Sequence, residues 1–185
     1  AQVVGDLKSQ LRSLVDADVE AVNRLMESIG QVNARLRSSN IGAAPPLALL
    51  DERDRLVSEI SGLIRVSVNY GQRSEVDLRL GRYSEGPQLV SGEDVTPINT
   101  THSDVSGTIF QLGSGMVFKG LDDGSLKGLA DSLDIIQSTE KNLDLLATRF
   151  VDEVNTVHTS GIDFDGERGK ELFTAKKFEV TQAKA

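Results

Sequence analysis

The longest regular pattern in the chain begins after Gly124. Steps of three and four residues pass through Leu126, Leu129, Leu133, Ile136, Glu140, Leu143, Ala147, Phe150, Val154 and Val157, and only Glu140 in that series is not apolar. A repeat of this kind marks one face of a long helix that packs lengthwise on other helices. Ser125 suits the N-cap and Gly161 the C-terminal stop, since a hydroxyl can satisfy free N–H groups and glycine tolerates the turn that ends a helix. At 1.5 Å per residue the helix is about 50 Å long. The pattern predicts a rod rather than a pocket.

Residues 1–38 carry a second long helical pattern. Val15, Asp18, Val22, Leu25, Ile29, Val32 and Leu36 keep the spacing, and Val4, Leu7, Leu11 and Leu14 continue it with a small change of phase. The stretch SSNIGAAPP at 38–46 then breaks the helix. A shorter helix follows from Leu47, with Leu49, Leu50, Leu56, Val57, Ile60 and Leu63 or Ile64 gathered on one side. Asp51, Glu52, Arg53, Asp54, Arg55 and Glu59 fill most of the rest and read as a solvated face, with Asp51–Arg55 and Glu52–Arg55 at ion-pair spacing.

From about Arg65 to Gly120 the period falls to two. Val66 and Val68, then Val76, Leu78 and Leu80, alternate with polar residues, and GPQLV, TIFQL and MVF add short apolar runs. Four or five short strands are expected. The polar stretch between Gly92 and Gly107 is expected to be an exposed loop. The fold class is therefore α+β: long antiparallel helices forming a bundle or coiled-coil rod, with a small, mostly antiparallel β insert. The boundaries are residues 1–65 for the long and short helices, 66–124 for the β insert and 125–162 for the second long helix. Residues 163–185 form a turn region and the truncated start of an outer domain. Ala1 opens inside a helical pattern and the chain stops as a strand-like run (Phe178, Val180) begins, so the sequence reads as an excised part of a longer protein.

Composition narrows the possible activities. Aromatic residues are 4% of the 185 and there is no Trp, which fits an aliphatic helix core better than an aromatic-walled ligand pocket. The net charge is -8 and no Lys/Arg cluster stands out, so neither nucleic acid nor an anionic membrane surface is an expected partner. With no Cys, disulfides and thiolate metal sites are excluded. No apolar run approaches the length of a membrane span, and no cleavable signal pattern is visible.

Candidate chemistry is sparse. DFDGERGKE at 163–171 resembles a calcium loop but has Arg168 where the sixth-position Gly should stand. Asp163, Asp165 and Glu167 read as a backbone-driven turn, with an irregular cation site as the alternative. His102 falls in the expected loop, and His158 in the last turn of the long helix, where it can cap carbonyls. Ser138 and Lys141 match a Ser-x-x-Lys pair without its companion motifs. Asn99-Thr100-Thr101 forms a bare glycosylation sequon. Asn23, Asn33 and Asn155 lie beside or within apolar seams, either solvent-exposed or buried to fix helix register. No catalytic residue, cofactor or metal is assigned.

Two stretches together carry a family resemblance. LLDERDRLVSEISGLIRVSV at 49–68 and FVDEVNTVHTSGIDFDGERGKELF at 150–173 resemble the bacterial flagellar hook-associated protein family of the FlgK type, as does GSLKGLADSLD at 124–134. In the second stretch Val154, Asn155, His158, Gly161, Asp163, Gly166, Gly169 and Phe173 carry the match. The resemblance implies a non-enzymatic structural subunit that joins hook to filament by self-assembly, exported without a cleaved signal to the extracellular flagellum. Its implied partners are further copies of itself, the neighbouring hook and second junction proteins, and an export chaperone at a C-terminal end that this stretch lacks. The terminal helical segments of the family are also missing, and the fragment alone is expected to be a monomer. The packing seam expected to carry the function is Val22, Leu25, Ile29 and Leu36, facing Leu133, Ile136, Leu143, Phe150 and Val154. A secreted helical binding module is the alternative reading, and a metal-dependent enzyme using His158, Asp163 and Asp165 a more distant one.

Overall fold

The computed structural model describes residues 2–39, 45–113, 115–118 and 121–173. The α+β class is observed there, with helices α1 (Gln2–Ser38), α2 (Leu47–Leu63) and α3 (Ser125–Ser160). Between α2 and α3 stand β1 (Val66–Tyr70), β2 (Val76–Leu80), β3 (Gln88–Ser91), β4 (Asp94–Val95), β5 (Ile98–Ser103), β6 (Gly107–Leu112) and β7 (Met116–Phe118). They form two antiparallel sheets, ordered β1-β2-β3-β4 and β5-β6-β7. The strand-like run at Phe178 and Val180, and the centre of the break at 38–46, lie outside the described residues.

Compactness divides the chain into residues 6–134 and residues 1–5 with 135–185. The division falls inside α3 rather than at either change of periodicity. In the larger unit α1 is the spine: Val15, Val19, Val22, Met26, Ile29, Val32 and Leu36 are all buried along one stripe. They share a single apolar core with Leu49, Leu56, Ile60 and Ile64 from α2 and its exit, with the inward residues of both sheets, and with Leu126 and Leu133 of α3. The strands are thus part of the same core as the helices.

The helices of this unit are placed by local chemistry. Glu52 near the start of α2 pairs with Arg35 near the end of α1 at 3.4 Å, while Glu59 and Leu63 line a groove with Ala21, Arg24, Leu25 and Ser28. That pattern makes α1 and α2 antiparallel. Arg55 pairs with Glu59 one turn on, so the expected pairings with Asp51 and Glu52 are not formed. Arg53 also leaves the solvated face: it is buried, donates to the Ser74 carbonyl at 2.6 Å and lies 5.0 Å from the Tyr70 ring centroid. Ser125 starts α3 but does not cap it. Its hydroxyl donates to the Asp18 carboxylate on α1 at 2.9 Å.

The sheets meet α1 through two side-chain amides. Asn33 is fully buried; its Oδ1 accepts from the Val76 N–H at 2.9 Å and its Nδ2 donates to the carbonyls of Val76 and Gly92 at 2.8 and 2.7 Å. Asn23 repeats the arrangement ten residues earlier, accepting from Ile98 N–H at 2.9 Å and donating to its carbonyl at 2.8 Å. Each carboxamide supplies one donor and one acceptor to a strand residue, as a neighbouring strand would. Between them Gly30 leaves room for the β3–β4 turn: a Cβ there would lie 3.1 Å from the Glu93 carbonyl oxygen.

The stretch 92–107 expected as a loop contains β4 and β5. Its inward face is polar because it meets a carboxylate on α1. Asp16 Oδ1 accepts from the Thr100 hydroxyl at 2.7 Å and contacts His102 Nε2 at 2.9 Å, and His102 Nδ1 lies 3.2 Å from the Thr108 hydroxyl. His102 is therefore a strand residue with a largely buried ring, not an exposed loop residue. Asn99 of the sequon lies on the same strand. At the β5–β6 turn the Lys8 ammonium, and then the Arg12 guanidinium, hold the Asp104 carboxyl below the usual carboxylate range.

Truncating Asn33 to Ala leaves the Val76 N–H and carbonyl buried without partners and removes the bond to the part-buried Gly92 carbonyl. The expected loss is about 3 kcal/mol in urea unfolding, because each orphaned buried group costs 1–3 kcal/mol. A loss below about 1 kcal/mol contradicts its role as a strand surrogate.

Candidate assembly surface and its terminal clamp

The second unit contains most of α3 and the segment that follows it. Successive helical residues turn by about 100°, which places Ile135, Leu143, Leu146, Phe150 and Val157 within an arc of about 80°. All five side chains are more than half exposed. Val151 and Gln137, on the opposite side, are buried. An apolar stripe of this length on a helix flank, uncovered among the described residues, is a surface suited to packing against a further apolar element.

Of the nine seam residues, Val22, Ile29, Leu36 and Leu133 are buried, Leu25 packs partly buried on the core, and Ile136 and Val154 are half-buried. Leu143 and Phe150 are exposed, which corrects the expectation of one continuous buried seam. The residues of α1 face the sheets and α2, with only Leu133 of the α3 set in the same core. The cause lies in the period. A 3.5-residue repeat drifts by about 20° per heptad on a straight helix of 3.6 residues per turn, or about 80° across four heptads. The series starts on the buried face at Leu126 and Leu133 and ends on the open flank at Phe150 and Val157.

At its C-terminal end α3 is clamped by the chain that leaves it. Asn155 Oδ1 accepts from the N–H groups of Leu172 and Phe173, each at 2.9 Å, and its Nδ2 donates to the Phe173 carbonyl at 2.7 Å. His158 Nδ1 lies 2.6 Å from the Lys170 carbonyl oxygen. A carbonyl only accepts, so this nitrogen carries the proton. The Phe150 and Phe173 rings pack with centroids 6.3 Å apart. His158 thus holds a carbonyl twelve residues on, rather than capping its own helix, and the chain doubles back beside α3 instead of turning away.

The intervening residues form a tight hairpin. Asp163 Oδ1 accepts from the N–H groups of Asp165 and Glu167 at 3.0 and 2.8 Å, and the Asp163 N–H donates to the Glu167 carbonyl at 2.9 Å. Gly166 takes a φ of +83°, open mainly to glycine. The Gly169 N–H donates to the Gly161 carbonyl at 3.0 Å, and a Cβ on Gly169 would lie 2.1 Å from the His158 carbonyl oxygen. Asn155, His158, Gly161, Asp163, Gly166, Gly169 and Phe173, scattered over nineteen positions (155 to 173), are therefore parts of one local structure.

The cation reading finds no geometry here. Asp163 spends one oxygen on backbone N–H groups, and among the described residues no three His, Cys, Asp or Glu side chains converge as metal ligands. Ser138 donates to the Ile135 carbonyl of its own helix at 2.8 Å. No described helix is long and apolar enough to cross a membrane.

If Asn155 is the centre of the clamp, Asn155→Ala releases residues 172 and 173. Water replaces its exposed bonds, so the global cost is about 1 kcal/mol. Hydrogen exchange should nevertheless speed up by about tenfold at the Leu172 and Phe173 amides and stay unchanged in the sheets. Unchanged exchange at those two amides contradicts the clamp.

Comparison with known proteins identifies the same stretch. The family described as the flagellar hook-associated protein FlgK helical domain matches residues 1–173. Flagellar hook-associated protein 1 of Escherichia coli (strain K12) is 30% identical over 195 residues, covering 98% of this chain and 35% of that protein. The protein of the same name from Bacillus subtilis (strain 168) is 23% identical over 206 residues, covering 97% of this chain and 41% of its own length. The structure of the flagellar hook junction protein FlgK from Burkholderia pseudomallei superposes with a TM-score of 0.74 at 25% identity, over 92% of this chain and 32% of that one. The chain spans about a third of the E. coli relative and of the B. pseudomallei structure. With its helices, its paired sheets and its clamp all inside the matched residues, the chain belongs to the FlgK family as its helical domain.

Proposed function

We propose that this chain serves as a structural, non-enzymatic part of a subunit that joins hook to filament in the bacterial flagellum by self-assembly. The observation that carries the reading is the uncovered apolar stripe on α3, in a domain whose relatives are named hook-associated proteins. Its partners are other copies of the same protein and the neighbouring hook and second junction proteins. An export chaperone engages the C-terminal end of the whole protein, which acts outside the cell after export without a cleaved signal.

The energetics support assembly in an array rather than in solution. Burying five large apolar side chains is worth on the order of 10 kcal/mol at about 1.5–3 kcal/mol each. Association costs about 4–15 kcal/mol in lost freedom and ordering. A single contact is therefore weak, and the domain on its own remains a monomer. In a ring or tube each subunit touches several neighbours, and the contacts reinforce one another through high effective concentration.

The test uses the full-length protein with Leu143→Asp and Leu146→Asp together, which alters the stripe and spares the Phe150–Phe173 contact. Both sites are exposed, so the change in folding stability stays within about 0.5 kcal/mol per site. Cells producing the variant should build hooks without filaments and release filament subunits into the medium. Normal filaments on these cells contradict the reading.

A further inference from the structure

Strand β5 and the turn after it run antiparallel to α1 along a line of polar contacts. Asn23 meets Ile98, Asp16 meets Thr100 and His102, and Lys8 and Arg12 meet Asp104, so rising strand numbers face falling helix numbers. The lengths agree. From Ile98 to Asp104 an extended chain spans about 20 Å, and from Asn23 back to Lys8 a helix spans about 22 Å. Lys8, Arg12 and Asp16 follow at helical spacing and share one face of α1, as Thr100 and His102 share one face of β5.

Two kinds of hold meet on α1. From Val15 to Leu36 the helix is fixed by buried apolar residues. Of residues 6–14 none is buried, and Leu11 packs only partly buried on the edge of the core. Here the helix is held by ion pairs. Lys8 Nζ lies 2.9 Å and Arg12 Nη2 2.6 Å from Asp104 Oδ1, and the two cationic side chains are covered far more than the carboxylate, at 15% and 29% exposed against 60%. The turn that carries Asp104 is preorganised: Ser103 Oγ accepts from the N–H groups of Val105 and Ser106 at 3.2 and 3.3 Å, and Gly107 takes a φ of +75°.

We propose that residues 6–14 of α1 form a releasable segment latched by the Asp104 turn, and that loss of the Asp104 charge lets them unwind while the rest of the larger unit stays folded. Opening turns that lie outside the core exposes little apolar surface, so their stability is local rather than global. The charged groups that face Asp104 are Lys8 and Arg12 of α1. Ser103, Val105 and Ser106 of its own turn carry no charge, and His102 on β5 is engaged by Asp16. A ring N–H of His102 donates to that carboxylate in either protonation state, so the latch responds through Asp104. Lys8 first, and then Arg12, hold the Asp104 carboxyl below the usual carboxylate range. A carboxyl lowered on folding gives stability that is complete above its unfolded value and is lost as the pH falls through its folded one, here below about 4. The latch is therefore closed at neutral pH, opens in acid and weakens in high salt. It lies within one chain and stands independently of the assembly reading.

Hydrogen exchange on the 185-residue chain tests the latch through Asp104→Asn, which keeps the size of an exposed turn residue and removes its charge. At neutral pH the variant should lose about fivefold of protection at residues 8–14, the scale of exposed ion pairs, and none at residues 19–36 or in the sheets. In the parent chain, protection of residues 8–14 should fall to the variant's level as the pH drops to about 3 or the salt rises to about 1 M. Lys8→Glu and Arg12→Glu combined with Asp104→Lys reverse the charges and should restore the protection. Equal protection of residues 8–14 in the parent and Asp104→Asn chains at neutral pH overturns the latch, as does a loss spread evenly to residue 36. A charge-reversed chain no better protected than Asp104→Asn assigns the hold to the shape of the turn and overturns it as well.

Discussion

Two side-chain amides on one helix hold this fold together. Asn23 and Asn33 each offer a donor and an acceptor to a single strand residue, Ile98 and Val76, and so continue the hydrogen-bond pattern of a sheet onto the surface of α1. Apolar packing supplies most of the stabilisation in the larger unit, but it is tolerant of sliding. The amides are not, because a shift of α1 by one residue would leave buried backbone groups without partners. Gly30 between them lets the β3–β4 turn approach the helix backbone. The register of α1 against the two sheets is fixed at these points.

A consequence follows for α3. Its first turns are held in the core by Leu126 and Leu133 and by the Ser125–Asp18 bond, and its last turns are held by the Asn155 and His158 clamp. Between those points the helix presents apolar residues that no described residue covers.

Much of this was legible in the residues. The boundaries of the long helices follow from apolar spacing and from the breaks at Ser38 and Gly161, and the expected spans agree with α1 and α3 to within a residue or two. Strand β5 was not legible, because its inward residues are Thr100 and His102, and alternation is read from apolar residues. Only the position of Asp16, more than eighty residues away, explains that polar face. The burial of Arg53 was hidden for a similar reason, since its partners are a backbone carbonyl and a ring from the β1–β2 hairpin. The seam on α3 was visible, but its drift from the buried side to the open side turns on the difference between 3.5 and 3.6 residues per turn. The residues around the clamp were marked by the family resemblance and not by chemistry; an Asn six residues before a Gly- and Asp-rich segment was the only local hint.

The central claim is that the α3 stripe is open in the isolated domain because neighbouring molecules cover it in the flagellum. Hydroxyl-radical footprinting of Leu143, Leu146, Phe150 and Val157 tests this most directly, comparing the isolated chain with purified particles that contain the hook–filament junction. The account predicts strong labelling of all four in the isolated chain and protection of about tenfold in the particles, where water is excluded from packed interfaces. Equal labelling in both states contradicts it.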